Sequence, residues 1–455
     1  MDLKKVSKFY LIFEILLISI VFLTILFGRS FMGLNLFGFR LGELIIGFGL
    51  ILSLLLSPIL LKFYKFTHIE KTLNVIMLII FSSFFITVII SRSSLFNLYT
   101  YKSSSYIWSL GFIYIGYLYY KFVSLEKITS YILVLSLPMV YILSTTYFPS
   151  SWMAFFGNYS DKFDFVKGSD LLLSYIIVCL FLRINNKPNL YTFTYFMISS
   201  GVFIPLLMYK SKGSFISIII FFTIELFNYK PVILKNYIKS FAILIMSILF
   251  FVLSTFQVWG DLTFNKNMAD QETLITEINT KKFITKLSDT VELKTDFMAD
   301  QTELFYVQNN RLYSSDYTVN WRLQIWQDVF IDSKNNNDII FGYGYKGPIQ
   351  AMLAEGRDGM DNQNEHVHNY FVTIFARGGI FHTVLFSYLF YKIIKIHKYK
   401  SKNYSILIYL LPVFFAASFD SAMESVRFPL LFYIFGSYFF FKLNQPINGR
   451  SYNSF

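Results

Sequence analysis

A chain of 455 residues with 55% hydrophobic and only 15% charged residues, and a mean hydropathy of +0.51, excludes a soluble globular enzyme and describes repeated apolar spans. Its 40 basic against 28 acidic residues give a net charge of +12, which suits a cationic surface against anionic lipid and calls for no nucleic acid. The single cysteine, Cys179, falls in an apolar run and can form no internal disulfide.

Runs of about 17 to 25 apolar residues can cross the hydrocarbon core as helices. Twelve are expected, centred near residues 18, 51, 81, 114, 137, 176, 199, 220, 248, 382, 411 and 434. The first follows Lys4, Lys5 and Lys8 like a signal peptide, but its apolar run from Phe9 to Phe27 ends in Gly28-Arg29-Ser30 without a small-residue cleavage site, so it reads as a retained anchor. Basic residues then alternate between connections. Twenty fall on the side of the N-terminus, among them Lys62, Lys65, Lys121, Arg183, Lys230 and the run from Lys392 to Lys402, against nine in the short loops opposite. Because short cytoplasmic loops accumulate Lys and Arg, both termini are expected in the cytoplasm and residues 259–367 outside. The predicted fold is all-α: one polytopic membrane domain, 1–455, of about twelve transmembrane helices, with a large helical extracytoplasmic (periplasmic) loop between spans nine and ten.

That loop changes character, with 17 acidic and 10 basic residues. Within it, Met268-Ala269-Asp270-Gln271 returns as Met298-Ala299-Asp300-Gln301, and Phe283, Leu287 and Val291 recur at helical spacing, so amphipathic helices are expected there. Chemistry concentrates further on. Arg322 and Trp326, four apart, share a helix face. Next comes Phe341-Gly342-Tyr343-Gly344-Tyr345, whose glycines permit tight turns and the close approach of a ligand to backbone. His366-Val367-His368-Asn369 then stands at the mouth of the tenth span. A guanidinium offers a fork of donors to phosphate oxygens, and an imidazole titrates near neutrality; together they suit reaction at a phosphate-activated carbon. The His366/His368 pair beside Glu365 lacks a third evident zinc ligand, and no metal is assigned.

Charges inside the apolar runs are costly and therefore informative. Arg377 lies eight residues past Asn369, about 12 Å down a helix, where it is expected to face a polar cavity and pair with Asp420 or Glu424. Arg427, three past Glu424, closes the same expected network, read as lining a diphosphate site.

The order Arg-x-x-x-Trp at Arg322, Phe-Gly-x-Gly at Phe341, His-x-His-Asn at His366 and Gly378-Gly379-Ile380 resembles the O-antigen polymerase and O-antigen ligase superfamily of bacterial envelope glycosyltransferases. Tyr209-Lys210-Ser211-Lys212-Gly213-Ser214 is similar to the family's Ser-Arg-Gly motif, with Lys212 where arginine is usual, and Phe419-Asp420-Ser421-Ala422-Met423-Glu424 to its C-terminal acidic segment. The resemblance spans roughly residues 190–440. It implies a metal-independent, inverting transfer of glycan from undecaprenyl diphosphate outside the inner membrane, with no cofactor. On that reading His368 and Arg322 are catalytic: Arg322 and Lys212 hold the diphosphate, and His368 positions or deprotonates the acceptor hydroxyl. Lys210, Arg377, Arg427, Trp326, His366, Asn369 and Tyr343 complete the substrate-binding set. The expected activity is polymerisation of lipid-linked repeat units of a lipopolysaccharide O-antigen, capsule or exopolysaccharide, with a chain-length regulator and a flippase as candidate partners. Ligation to lipid A core is the alternative. A lipid-linked oligosaccharide transporter is a further one, disfavoured by polar motifs clustered near one surface and by the absence of two-fold hydropathy symmetry.

Overall fold

The computed structural model describes residues 3–56, 68–122, 125–161, 163, 165–262, 304–354 and 366–444. Helix α1 (Leu3–Met32), kinked at Gly28, leads through a hairpin of β1 (Asn35–Leu36) and β2 (Phe39–Arg40) into α2 (Leu41–Ile51) and its π-helical extension, Leu52–Leu56. There follow α3 (His68–Ile90), the short α4 (Leu98–Ser103) and α5 (Ser105–Trp108), α6 (Phe112–Phe122), α7 (Glu126–Thr145) and α8 (Ser150–Tyr159). Next are α9 (Gly168–Asn186), α10 (Leu190–Lys210), α11 (Lys212–Asn228), α12 (Lys230–Lys235) and α13 (Tyr237–Trp259). A second hairpin, β3 (Phe305–Gln308) with β4 (Arg311–Ser314), precedes α14 (Tyr317–Asn335), and α15 (Tyr370–Ser401), α16 (Leu407–Ala417) and α17 (Arg427–Leu443) follow.

The protein is a multi-pass, all-α membrane protein. Helices lie at all twelve expected centres, and among the described residues seven are long and apolar enough to cross a membrane. The five near residues 51, 114, 220, 411 and 434 have 11 to 17 residues, α2 giving way to a π-helical turn. Helix α9 is buried from Gly168 to Leu182, whereas α13 leaves Phe241, Ile245, Leu249 and Leu253 exposed, as expected of a central and a lipid-facing helix. Between apolar helices in lipid, close backbone approach and hydroxyl bonds replace the hydrophobic effect. A Cβ on Gly116 of α6 would lie 2.1 Å from the Ile434 carbonyl of α17, and Ser437 Oγ donates to the Ile113 carbonyl at 2.8 Å across that contact. Buried Glu225 pairs with Arg183 at 2.5 Å, and Glu14 accepts from the Leu125 amide, so both carboxylates serve the scaffold.

The described part of the 259–367 segment is less helical than expected. It consists of the β3–β4 hairpin, whose Asn309-Asn310 turn has φ of 50° and 59°, then α14 and an irregular glycine loop. The Met268 and Met298 repeat, and the helix expected around Phe283, Leu287 and Val291, lie outside the described residues.

The glycine loop is a splint. Helix α15 breaks at Gly379, with φ 62° and ψ −161°, a conformation almost closed to other residues. The freed amides of Ile380 and Phe381 bond instead to the Ile339 and Ile340 carbonyls, at 2.8 and 3.0 Å. From the loop, the Tyr343 and Gly344 amides bond to the Ala376 and Arg377 carbonyls, at 2.8 and 3.0 Å. A broken membrane helix is tolerated where neighbouring groups re-satisfy its backbone, and this loop supplies them. Its glycines thus approach the chain's own backbone, where the sequence suggested a ligand. The expected pairing of Arg377 with a carboxylate is corrected likewise: its Nη1 donates to the carbonyls of Gly344 (3.1 Å) and Gly347 (2.6 Å), and Nη2 to the Tyr99 hydroxyl (3.3 Å). Gly379→Ala should lose about 1–3 kcal/mol through backbone strain alone, and more because its Cβ would sit 2.3 Å from the Ile340 carbonyl oxygen; thermal denaturation in detergent measures this.

Candidate functional site

Helix α14 is held over the ends of the membrane helices by a small core of its own. Ile325 and Val329 pack with Ile349, Met352, Val367 and Ala376, flanked by Trp321 and Trp326. Asp316 caps the helix through the Val319 amide, and Arg311 pairs with Asp328 to tie the hairpin on. Trp326 Nε1 donates to the Val367 carbonyl at 2.7 Å, and the Trp321 ring meets the His368 imidazole edge-on at 5.2 Å. The expected helix-face pair, Arg322 and Trp326, is thereby fixed against the His366–Asn369 segment. Trp326 itself is a fastener.

Beneath α14, three helix starts converge. The start of α9 at Gly168 packs on Lys210 and Ser211, that of α11 presents Lys212 to Asp316, and that of α15 is capped by Asn369, whose Oδ1 accepts from the Phe371 and Val372 amides at 2.9 and 3.1 Å. Helix N-termini carry partial positive charge, and so favour anions.

Electrostatics bind the site residues into one group. Burial pushes the Arg322 guanidinium below its ordinary pKa, against the supporting carboxylates of Asp420 and Asp316; its Nε makes no hydrogen bond among the described residues. His368, at a left-handed φ of 54°, is pushed down to about 4 by burial and by Arg322, with Asp420 opposing. It is therefore neutral at pH 7. Burial raises the Asp316 carboxyl, but its bond from Lys212 and the amides of the α14 N-terminus outweigh that and hold it below the usual range. Lys212 is 83% exposed.

Two adjoining cavities lie next to this group, reached through its chain neighbours His366, Val367 and Ser421; Arg322, Lys212, His368 and Asp420 themselves line neither. The larger, of about 400 Å³, is lined by the basic residues Arg29, Arg40, Lys102 and Lys167, with Glu43 beside Arg40, and by apolar Met32, Ile46, Leu50 and Trp108, with His366, Glu424 and Arg427 also on its wall. From Arg40 to Leu50 is ten residues, about 15 Å of helix. The side chains of Lys102 and Lys167 form no hydrogen bond or ion pair among the described residues, whereas Arg40 binds Asp161 at 2.8 Å. The smaller cavity shares Lys102, Ser105, His366 and Glu424, and adds Thr373 and Arg377.

The structure thus gathers Arg322, Lys212, His368 and Asp420 in one place, with His366 and Arg427 on the cavity wall. Arg427 does not close the expected network with Glu424. Its Nε pairs with Asp170 of α9, both side chains 7% exposed. Tyr343 belongs to the α14 core. Sequence reading missed Arg29, Arg40, Lys102 and Lys167. Their signal was present as basic residues in the loops opposite the positive clusters, where the charge bias disfavours them.

Residues 197–387 match the family model described as O-antigen ligase, which is consistent with the O-antigen polymerase and ligase superfamily and points to a glycan-transferring enzyme. The match covers Lys210, Lys212, Arg322, Trp326, Tyr343, His366, His368, Asn369 and Arg377, and stops short of Asp420, Glu424 and Arg427. No curated protein matches the chain.

Proposed function

We propose that the protein polymerises lipid-linked oligosaccharide repeat units on the outer face of the bacterial inner membrane, with both termini cytoplasmic. The growing glycan moves from undecaprenyl diphosphate to the nonreducing-end sugar of the next lipid-linked unit. The observation that carries this reading is the meeting of Arg322 and His368 next to a cavity lined by both basic and apolar residues. That combination suits a prenyl diphosphate, with the head among the basic residues and the chain among Ile46 and Leu50.

In the reaction an acceptor hydroxyl attacks the anomeric carbon, the bond from that carbon to the diphosphate oxygen breaks, and inversion follows from attack opposite the leaving group. Negative charge grows on the diphosphate as the bond breaks. Arg322, Lys212 and the neighbouring Lys102 and Lys167 stabilise it, the buried Arg322 most strongly because its charge is least screened by solvent. Neutral His368 accepts a hydrogen bond from the acceptor hydroxyl and orients it. These cations supply the electrophilic assistance, so the transfer proceeds without a metal.

Purified protein given undecaprenyl-diphosphate repeat units in the presence of a chelator should yield a ladder of longer lipid-linked chains. A product formed only when lipid A core is added would establish ligation instead, the reading favoured by the description of the matched family. Reversing one of the cavity's basic charges, Lys102→Glu, should raise the KM for the lipid-linked donor about tenfold or more, the worth of one charge-assisted contact, with a smaller change in kcat; an unchanged KM would remove the cavity from the reading.

A further inference from the structure

The mechanism above leaves the acceptor's proton without a destination. His368, at about 4, is a weak base at pH 7. Most other buried titratable groups near the spans are occupied structurally. His382 is bonded between Tyr106 at 2.6 Å and Thr87 at 3.1 Å, His397 lies 2.9 Å from Ser405, and Asp170 and Glu225 hold arginines.

Glu424 is different. It is buried, yet it lines both cavities. One carboxylate oxygen accepts the Thr373 hydroxyl, and the other lies 3.2 Å from Nδ1 of His366, whose side chain is 48% exposed. A carboxylate inside the cavity thus stands at ion-pair distance from an imidazole that reaches solvent. Asp420, four residues earlier on the same segment, lies in the fields of Arg322 and His368, which places this pair beside the group that holds the diphosphate.

We infer that Glu424 is the catalytic base, taking the proton of the attacking hydroxyl and passing it to His366 for release to solvent. This rests on the reading that an alcohol attacks a lipid diphosphate. As the acceptor oxygen bonds to the anomeric carbon, its O–H bond breaks and the proton moves to Oε2 of Glu424. The carbon–oxygen bond to the diphosphate breaks, with its electron pair left on the diphosphate. The proton then passes from Oε2 to Nδ1 of His366, which carries its own proton on Nε2 and loses it to water.

The balance of charges around Glu424 suits the task. Burial pushes its carboxyl up to about 7; the Thr373 hydroxyl, Arg377 and the Asn369 backbone work against that, and Asp420 adds to it. Lys102 and Arg427 face it across the cavities. A base is most effective with a pKa near the operating pH.

The test is the pH dependence of chain extension by the full-length protein in lipid nanodiscs, supplied with lipid-linked repeat units and, in a parallel arm, with lipid A core. In the wild type kcat should rise through an acid limb near pH 7. Glu424→Gln should lower kcat about 100-fold or more, the usual worth of a general base, abolish that limb and leave the donor KM within about threefold. His366→Gln should cost about tenfold and regain rate with added imidazole, which separates proton release from a structural role and serves as the test should Glu424→Gln fail to fold. A wild-type rate and limb in Glu424→Gln, or a His366→Gln rate indifferent to imidazole, overturns the relay while the transferase reading stands. A wild-type protein that transfers glycan in neither arm overturns both.

Discussion

Arg322→Ala is expected to lower turnover about 100- to 1000-fold, the range seen when one preorganised donor to a developing oxyanion is removed, while the protein remains folded. The fold does not depend on this side chain, because α14 is anchored by Ile325, Val329, the Trp326–Val367 bond and the Arg311–Asp328 pair. What depends on it is charge. Burial already disfavours the guanidinium, and Asp420 and Asp316 sustain it; a cation kept in such a place with its Nε unused is poised for an anion. Arg322→Lys should recover only a small part of the activity, since a point charge replaces a planar fork. An independent readout exists in His368. Arg322 helps hold its pKa near 4, so Arg322→Ala should move the His368 titration upward toward the ordinary value near 6.5, visible by NMR of labelled histidine. Unfolded His368 binds its proton near pH 6.5 and folded His368 only near 4, so its contribution to stability is complete above 6.5 and is lost as pH falls toward 4. That acid sensitivity should shrink in the variant. An unmoved titration would mean that Arg322 and His368 do not share a site in solution.

How much of this was legible beforehand follows from what each feature depends on. The twelve apolar runs all fold as helices, seven of them among the described residues long and apolar enough to span, because in lipid each segment satisfies its own backbone. The order Arg322, Phe341, His368 carried over for a related reason: α14 and the start of α15 meet through apolar side chains already evident as Ile325, Val329 and Val367. The Asn309-Asn310 turn, between Phe305-Tyr306-Val307 and Leu312-Tyr313, was a readable hairpin signal passed over in favour of helix. Other features were not legible. Arg377 was expected to seek a carboxylate, but the break at Gly379 left backbone carbonyls of another segment nearer, and no local pattern reports where a helix breaks in space. The basic lining of the cavity joins α1, β2, α4 and the approach to α9, which only the folded chain brings together.

Charge partners were the least legible of all, and the pair between Asp170 and Arg427, 257 residues apart, gives the second large effect. Asp170 lies in the first turn of α9 and Arg427 opens α17, so one ion pair pins the two most enclosed helices at the end where the cavities lie. Asp170→Ala should destabilise the protein by about 3–5 kcal/mol, because the cost of breaking a buried pair is the charge left behind. Arg427 is 6% exposed and lines the cavity together with His366 and Glu424. Replacing both partners, Asp170→Leu with Arg427→Met, should restore most of that stability, since an apolar pair of similar volume carries no desolvation penalty. The double variant also separates scaffold from site. If Arg427 serves only to hold the helices, donor KM returns with stability. If its charge also contributes to the field felt by the diphosphate, the double variant melts like the wild type but binds donor more weakly. Thermal melts in detergent and donor titrations on the same preparations decide the matter, and an Asp170→Ala protein that melts with the wild type would show that this pair does not hold the helix starts together.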